Sequence, residues 1–447
     1  LAAGPEPAPD PARVASQEEV ETLRQRFDEA MGVLKGSEGR RRLGGQWVYQ
    51  LPWYLIIGPP GCGKTTALVN SGLRFPLAEQ FGQDAIHGIG GTRNCDWWFT
   101  DEAVILDTAG RYTTQDSYAE VDSAAWTGFL GLLKKHRPRR PVNGVLVAIS
   151  LSDLLQQSQA ERDAHARAIR SRVQELYTAF RIRCPIYVIF MKADLVAGFT
   201  EFFADLGQEG RAQVWGMTFP YDDGKPAVVS HGMAGPGTGP LAAFAAEHRA
   251  LTERLDQRLL TRMQQERDPG KRGLVFSFPR QFGSLGETVG QFLDATFAPS
   301  RFEARPLVRG VYFTSGTQTG TPIDRVLGAI AANFGLGRQG PAPFIGTAKS
   351  FFVTRLLREV VFPEAGLAGL DPRQERRRLW LRRGAYAGAA GIALLAAVAW
   401  TTSYSRNRSY VAEVAGSVAD IERRIEALTP QDRDPLGVLP LLDAARA

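Results

Sequence analysis

The segment Tyr54–Thr66, YLIIGPPGCGKTT, constrains the fold of this chain more than any other part of it. Four apolar residues predict a buried strand, the turn residues 58–61 end that strand, and Gly63–Thr65 begins a helix. The pattern G-x-x-x-x-G-K-[ST] is complete. In this strand–loop–helix context it predicts a loop whose backbone N–H groups surround a phosphate. The alternative is an ordinary Gly/Pro turn.

Each residue type in this loop has an expected role. The glycines leave room for a phosphate, Lys64 can reach the β- and γ-phosphate oxygens, and the Thr65 hydroxyl can bind Mg²⁺. The expected cofactors are therefore GTP or ATP, together with Mg²⁺. The predicted nucleotide-binding residues of the loop are Gly58, Gly61, Cys62, Gly63, Lys64, Thr65 and Thr66.

A second motif follows two β-rich runs, Asn94–Thr100 and Ala103–Asp107, which predict a hairpin. Asp107 ends the second run, where a carboxylate can hold the water shell of Mg²⁺, and Gly110 can offer its N–H to a γ-phosphate. The D-x-x-G pattern thus predicts a sensor of the third phosphate, with an ordinary turn as the alternative. Thr92, in the loop before the hairpin, is expected to be a further Mg²⁺ ligand or else a surface threonine.

A third motif, Met191-Lys192-Ala193-Asp194, matches the purine-reading pattern [N/T]-K-x-D except at its methionine. The Asp194 carboxylate can accept hydrogen bonds from N1–H and the exocyclic amine of guanine, an arrangement that adenine does not offer. Lys192 can pack on the base. The pattern favours guanine, the methionine leaves adenine open, and a plain Lys–Asp pair on a loop is the alternative.

The residue after D-T-A-G is Arg111, where small GTPases have a glutamine that orients the attacking water. Arginine neither accepts a proton nor positions water in that way. Slow hydrolysis, or a catalytic group supplied from elsewhere, is therefore expected. The candidate catalytic residues are Arg111 and His87, for which an exposed loop histidine is the alternative.

The net charge of +6 is concentrated in one segment, because residues 373–383 carry six arginines against one glutamate. No nucleic-acid-binding surface is predicted, since the rest of the chain is nearly neutral. The next 21 residues, Gly384–Tyr404, carry no charge and are long enough to span a bilayer core of about 30 Å. The positive-inside rule places residues 1–383 in the cytoplasm and those from about 405 across the membrane. The alternative is an alanine-rich helix buried in a soluble core.

Apolar strands alternate with helices, which predicts an α/β fold of the GTPase-like P-loop NTPase type, with a mostly parallel sheet and helices on both faces. An amphipathic helix capped at Ser16 is expected before this sheet. Further predictions are one long helix at Leu154–Phe180, a strand at Leu274–Phe278, and helices near 322–334 and 348–360. Three cysteines without paired spacing argue against a disulfide or zinc framework.

Together these residues resemble the IcmF/TssM family, the large inner-membrane component of type VI secretion machines. Four stretches carry the resemblance, namely LPWYLIIGPPGCGKTTAL, GTRNCDWWFTDEAVILDTAGRY, RGVYFTSGTQTGTPIDRVL and FFVTRLLREVVFPEAGLAG. The resemblance implies two upstream transmembrane helices, a cytoplasmic P-loop domain, a third helix in the bacterial inner membrane and a large periplasmic region. It also implies an oligomer with three kinds of partner: a TssL/DotU-type inner-membrane protein, baseplate components, and a TssJ-type outer-membrane lipoprotein that meets the periplasmic region.

The expected domain organisation combines the motifs with this resemblance. The domains are a linker and amphipathic helix (1–44), a P-loop NTPase-like domain (45–280), a mainly helical subdomain (281–371), a basic juxtamembrane segment with the transmembrane helix (372–404) and the start of the periplasmic region (405–447). Three functions fit this organisation. The favoured one is a structural subunit whose P-loop domain is a nucleotide-controlled switch for assembly and partner docking. A motor NTPase, whose hydrolysis powers secretion or assembly, and a purely architectural domain are the alternatives.

Overall fold

The computed structural model describes residues 18–25, 27–29, 31–32, 48–75, 95–115, 119–221, 240–300, 303–316, 319–320, 344–345, 350–369, 372–427 and 435–446. The chain forms two compact units, Leu1–Pro372 and Arg373–Ala447. His87, Thr92, Ser16 and the helix predicted near 322–334 lie outside the described residues.

The first unit is built around a seven-stranded sheet in the order β2-β3-β1-β4-β5-β7-β6. Its strands are β1 (Trp53–Ile57), β2 (Cys95–Phe99), β3 (Val104–Thr108), β4 (Gly144–Ser150), β5 (Pro185–Met191), β6 (Gly216–Thr218) and β7 (Leu307–Phe313). The five inner strands are parallel, and the two edge strands, β2 and β6, are antiparallel to their neighbours. The predicted mixed α/β fold, mostly parallel sheet and β2–β3 hairpin are confirmed. Two short strands, β8 (Thr319–Gly320) and β9 (Phe344–Ile345), form a separate pair.

Helices connect and cover these strands. The N-terminal helix α1 lies within residues 18–32. The other helices of this unit are α2 (Lys64–Val69), α3 (Gly110–Thr114), α4 (Ala119–His136), α5 (Leu151–Gln156), α6 (Gln159–Phe180), α7 (Phe199–Phe202), α8 (Gln208–Ala212), α9 (Phe244–Gln265), α10 (Pro269–Gly283) and α11 (Leu285–Phe297). Short 3₁₀ helices occur at Ala193–Leu195, Pro240–Ala243 and Pro363–Leu367.

Alternate residues of the central strands enter two different hydrophobic cores. In β1, Trp53, Leu55 and Ile57 belong to the core on one face of the sheet, and Tyr54 and Ile56 belong to the core on the other face. All five are buried. Both faces are therefore covered, as a parallel sheet requires. The first core includes side chains of α1, α4, α6, α9, α10 and α11, and the second includes side chains of α2 and of residues 353–362.

Helix α1 packs on the first face of the sheet. Leu23, Phe27 and Met31 recur every four residues and are buried, so the amphipathic helix is confirmed over its described residues. The Phe27 ring lies edge-on to the Trp97 ring of β2, with 4.8 Å between the ring centroids. An ideal Cβ on Gly128 of α4 would lie 2.9 Å from a methyl carbon of Val20, so α1 and α4 are in close contact.

Residues 350–369, here called the C-terminal strap, contact both cores, and residues 353–362 cover the second face. The helix predicted near 348–360 is present as a π-helix at Leu356–Val361. The Tyr54 hydroxyl donates a hydrogen bond to the Val361 carbonyl (2.7 Å). Glu364 accepts hydrogen bonds from Arg309 Nε of β7 (2.9 Å) and from the Tyr187 hydroxyl of β5 (2.8 Å). These buried polar contacts fix the strap on the sheet, since a buried charge needs its partner.

One predicted strand, Leu274–Phe278, is wrong, because these residues lie within helix α10. The start of this helix is well defined. Asp268 accepts a hydrogen bond from the Lys271 backbone N–H (3.0 Å), and Pro269 occupies the first helical turn, where its missing N–H has no consequence. The buried side chains then follow helical spacing, at Val275, Phe278 and Phe282. A short apolar run alone does not distinguish a strand from a buried helix.

The long helix predicted at Leu154–Phe180 is instead divided into α5 and α6. Ser158 caps α6, because its hydroxyl accepts a hydrogen bond from the Glu161 N–H while the Glu161 carboxylate accepts one from the Ser158 N–H (2.7 Å). The sheet also continues across the predicted boundary at residue 280, since β7 pairs with β5.

The second unit contains α12 (Pro372–Glu426) and α13 (Pro435–Arg446). Among the described residues, one helix, Leu379–Glu426, is long and apolar enough to cross a membrane, with a mean hydropathy of 1.5 over its most apolar window. None of that window is buried, unlike the buried core helix considered as the alternative. The predicted span, Gly384–Tyr404, lies inside this helix.

Candidate nucleotide site

Five loops converge at one edge of the sheet because the inner strands are parallel. The predicted phosphate loop follows β1, Asp107 lies near the end of β3, and Ser150 ends β4. Lys192 follows β5, and Ser315 follows β7. The chain leaves β1 for β3 on one side and then returns to β4 on the other side. Ligands of open α/β sheets bind at such a switch point, outside the carboxyl ends of the strands.

The loop from Gly58 to Gly63 has a backbone that only glycine adopts readily. Gly61 and Gly63 have φ angles of 71° and 100°, so a side chain at either position would be strained. The Gly58 N–H donates a hydrogen bond to Thr113 Oγ1 of α3 (3.1 Å). After the loop, the Thr66 carbonyl accepts hydrogen bonds from the backbone and side chain of Asn70.

Lys64 folds back over this loop. Its Nζ donates hydrogen bonds to the carbonyls of Gly58 (2.9 Å) and Pro59 (3.2 Å) and lies 3.9 Å from Cys62 Sγ. Only 6% of the residue is exposed. The loop therefore encloses one buried positive charge, as a phosphate-binding loop needs. Burial raises the pKa of the Cys62 thiol, which makes it a small packing residue and not a nucleophile.

Asp107 lies directly behind Thr65, whose hydroxyl donates a hydrogen bond to Asp107 Oδ2 (2.6 Å). The other carboxylate oxygen, Oδ1, is buried without a hydrogen-bond partner among the described residues. Burial raises the pKa of Asp107, although Lys64 and the Thr65 hydrogen bond act in the opposite direction. An unpaired buried oxygen beside a threonine hydroxyl fits a hard cation such as Mg²⁺.

Gly110 is packed against the phosphate loop. An ideal Cβ at this position would lie 2.2 Å from the Pro60 backbone nitrogen, so only glycine permits the approach. Gly110 begins α3, whose Thr113 accepts the hydrogen bond from Gly58. The predicted phosphate sensor and the phosphate loop are therefore in direct contact.

The predicted base-reading residues lie at the ends of β5 and β7. Asp194 is buried, and its carboxylate is hydrogen-bonded to the Ser315 side chain. Burial raises the pKa of Asp194 to about 6, although this hydrogen bond acts in the opposite direction. Its Oδ1 has no hydrogen-bond partner among the described residues. Lys192 Nζ lies 3.7 Å from a carboxylate oxygen of Asp153.

Met191, which departs from the purine-reading pattern, is buried at the end of β5. Its sulfur accepts a hydrogen bond from Thr314 Oγ1 (3.1 Å), and the Ala193 N–H donates to the Thr314 carbonyl (3.0 Å). The methionine thus helps to fix the loop after β7 against the loop that carries Asp194.

Comparison with known proteins identifies the family of this chain. The model of the IcmF-related N-terminal domain matches residues 119–389. The chain belongs to the IcmF/TssM family. It is 57% identical over 442 residues to type VI secretion system component TssM1 of Pseudomonas aeruginosa, an alignment that covers 98% of this chain and 39% of the relative. No solved structure matches the chain significantly. The predicted family is confirmed, and the matched domain begins after the phosphate loop.

In this IcmF/TssM-family chain, the predicted catalytic residue Arg111 pairs with two carboxylates of the described residues. Its guanidinium forms ion pairs with Glu19 of α1 and with Asp122 of α4, the latter at 2.8 Å. Its side chain is 35% exposed. The Tyr112 hydroxyl also donates a hydrogen bond to Glu19 (2.9 Å). The structure thus joins Arg111 to the N-terminal helix. The other candidate catalytic residue, His87, lies outside the described residues.

The sequence motifs missed several residues that complete this edge of the sheet. Thr113 and Ser315 contact Gly58 and Asp194, and Asp153 pairs with Lys192. Ser315 lies in RGVYFTSGTQTGTPIDRVL, one of the stretches that carry the family resemblance, and that was the available signal for it. Thr113 and Asp153 follow strands that were recognised, and the parallel arrangement of those strands was the signal for them.

Proposed function

We propose that this chain binds a guanine nucleoside triphosphate with Mg²⁺ and acts as a nucleotide-controlled switch in a type VI secretion membrane complex. The arrangement of Lys64, Thr65 and Asp107 carries the proposal. A buried ammonium group lies inside a glycine-rich loop, and a buried carboxylate with one unpaired oxygen lies behind the loop threonine. A buried carboxylate whose pKa is shifted by burial and by a nearby charge is a candidate functional group, since such groups cluster at functional sites.

The phosphate groups and Mg²⁺ would be held by residues of three segments. Lys64 would exchange its contacts with the loop carbonyls for β- and γ-phosphate oxygens, and Thr65 would exchange Asp107 for the metal. Asp107 would hold the water shell of the metal, and Gly110 would donate its N–H to the γ-phosphate. Bound Mg²⁺ supplies positive charge that neutralises the phosphate oxygens. Thr92 is proposed as a further ligand when the triphosphate orders its loop.

The base would be recognised by Asp194 and Lys192. An ionised Asp194 accepts hydrogen bonds from N1–H and the exocyclic amine of guanine, and its unpaired Oδ1 is available for one of them. The stem of Lys192 would cover the base. A binding site built to pair with polar edge groups rejects a base that lacks them, because its own buried groups would then remain unpaired.

Hydrolysis by the isolated chain would be slow. The position after D-T-A-G is Arg111, and its guanidinium is paired with Glu19 and Asp122. GTPases that lack a water-positioning residue or an arginine supplied to the phosphates turn over at rates on the order of 10⁻³ s⁻¹ or below. Triphosphate binding would therefore persist long enough to act as a signal, which supports a switch over a motor.

The type VI role rests on the relative, whose name is type VI secretion system component TssM1. The chain spans 39% of that protein. An inner-membrane location is consistent with the long apolar helix at Leu379–Glu426. We place residues 1–383 in the cytoplasm and residues from about 405 in the periplasm, because the arginines precede the span. The proposed partners are a TssL/DotU-type protein, baseplate components and a TssJ-type lipoprotein, within an oligomeric complex.

Lys64→Ala and Arg111→Ala should be compared for nucleotide affinity, hydrolysis and secretion in the full-length protein. The switch predicts that Lys64→Ala loses both binding and secretion, while wild-type turnover stays slow with partners present. Partner-stimulated turnover that disappears in both variants would instead indicate a motor. Lost binding with normal secretion would indicate an architectural domain.

A further inference from the structure

The described part of the N-terminal helix contacts the phosphate sensor through the side chain of Glu19. Glu19 forms an ion pair with Arg111 and accepts a hydrogen bond from the Tyr112 hydroxyl (2.9 Å). Arg111 and Tyr112 directly follow Gly110, the residue in contact with the phosphate loop. The Glu19 side chain is 14% exposed. One carboxylate of α1 therefore binds two consecutive residues of the segment that would read the third phosphate.

The rest of α1 is firmly attached to the sheet. Phe27 is 1% exposed and packs against the rings of Trp97 and Trp53. Asp28 lies 3.7 Å from a ring nitrogen of His136 on α4. Glu19 is thus presented from a docked helix, and it has a fixed position from which to hold the sensor.

Glu19 is one of two acidic groups that pair with Arg111 among the described residues. The other acidic group on the Arg111 guanidinium is Asp122, which is almost fully buried on α4, and burial raises its pKa. Glu21, by contrast, lies two residues from Glu19, is 56% exposed and pairs only loosely with Arg24 (3.8 Å). Removing the Glu19 charge would free the sensor from α1 but leave α1 attached through its apolar face.

We propose that Glu19 is a positioning residue that preorganises the third-phosphate sensor, so that docking of α1 and triphosphate binding stabilise each other. This inference rests on the proposed function. Glu19 holds Arg111 and Tyr112, these residues hold Gly110 against Pro60, and Gly110 is then in place to donate its N–H to the γ-phosphate. Coupling between two sites is reciprocal, so triphosphate must also stabilise the docked helix.

The test compares Glu19→Gln with Glu21→Gln in the full chain, reconstituted in lipid nanodiscs. Affinities for guanosine diphosphate and for a non-hydrolysable guanosine triphosphate analogue are measured by calorimetry with Mg²⁺. Glu19→Gln should weaken triphosphate binding about fivefold or more and leave diphosphate binding within twofold, because only the triphosphate uses Gly110. Glu21→Gln should change neither affinity. Hydrogen exchange of residues 18–32 should slow with the triphosphate analogue in the wild type but not in Glu19→Gln.

The possible outcomes separate the positioning role of Glu19 from the proposed function. An unchanged or increased triphosphate-to-diphosphate affinity ratio in Glu19→Gln would overturn the positioning role while the proposed function stands. Equal losses for both nucleotides would also overturn it, since a merely structural role produces that result. A wild-type chain that binds neither nucleotide would overturn the proposed function, and the inference with it.

Discussion

The phosphate half and the base half of the candidate site are built in different ways. The phosphate half is one contiguous loop with Asp107 and Gly110 behind it, and its buried carboxylate lies close to the buried ammonium of Lys64. The base half combines Asp194, Lys192 and Ser315 from the ends of two strands. Its buried carboxylate is stabilised mainly by a neutral hydroxyl and by backbone, and its pKa is raised to about 6.

This difference assigns the affinity of the proposed site to its phosphate half and the base selectivity to its base half. In the proposed site, charge pairing around Lys64 would provide affinity that every nucleoside triphosphate shares, because every one of them has the same phosphates. Asp194 would provide selectivity, and it would also make that selectivity sensitive to pH. If the two halves have these separate roles, substitutions in the phosphate half should weaken the binding of all nucleotides equally. Substitutions in the base half should weaken the binding of some nucleotides more than others.

The largest expected effect is that of Lys64→Ala. Removing a buried, hydrogen-bonded charge should lower the affinity for both guanine and adenine nucleotides by about 100-fold. Lys192→Ala is the matched control, since it also removes a lysine at the carboxyl edge and should cost about tenfold or less. Calorimetric titration of both variants measures the difference. Equal losses in the two variants would contradict the separation of the two halves.

Asp194→Asn should change which base is preferred. The asparagine amide can donate a hydrogen bond where the carboxylate only accepts, so it suits the 2-carbonyl of xanthine and not the 2-amino group of guanine. Guanine affinity should fall by about 10- to 100-fold, the range for hydrogen bonds to charged groups, and xanthine affinity should rise. Competition between guanosine diphosphate and xanthosine diphosphate measures this change. An identical loss for adenosine diphosphate would show that the variant damages the site as a whole.

Acidification should weaken guanine binding more than adenine binding, since protonation of the terminal phosphate affects both nucleotides. Burial raises the pKa of Asp194 to about 6, and the protonated carboxyl cannot accept both hydrogen bonds. The affinity should therefore be constant above pH 7 and should fall through pH 6, by about tenfold at pH 5. Titrations across this pH range with guanosine diphosphate and adenosine diphosphate are the measurement. A pH-independent guanine affinity, or a parallel loss for adenine, would exclude Asp194 as the base-reading group.

The smallest predicted effect is that of Ser315→Ala. The Ser315 hydroxyl lowers the pKa of Asp194 through its hydrogen bond, so its loss should move the midpoint of the pH dependence upward. At neutral pH, guanine affinity should fall about threefold, because a larger fraction of Asp194 would then be protonated. Ser277→Ala is the control, because among the described residues its hydroxyl donates to the Leu274 carbonyl on α10, away from the candidate site.

The two halves also differ in how much the sequence could predict. The strand, glycine-rich loop and helix around Lys64 were predictable because their residues are contiguous and the glycine conformations are set locally, while phosphate binding by this loop stays a prediction. Ser315 was not, because only the pairing of β5 with β7 brings it beside Asp194. Arg111 was interpreted by its position after D-T-A-G, but its contacts depend on where α1 packs. Leu274–Phe278 was misassigned as a strand because its helical spacing appears only over a longer window.

The nucleotide that remains bound to the gently purified protein tests the central claim most directly. The chain is denatured, and the released nucleotide is identified by liquid chromatography and mass spectrometry, with Lys64→Ala purified in parallel. We predict guanine nucleotide in the wild type, absent from Lys64→Ala, and restored when the wild-type protein is loaded at neutral pH. Adenine nucleotide in the wild type would contradict the assignment of Asp194, and a wild-type protein that neither retains nor takes up a nucleotide would contradict the switch itself.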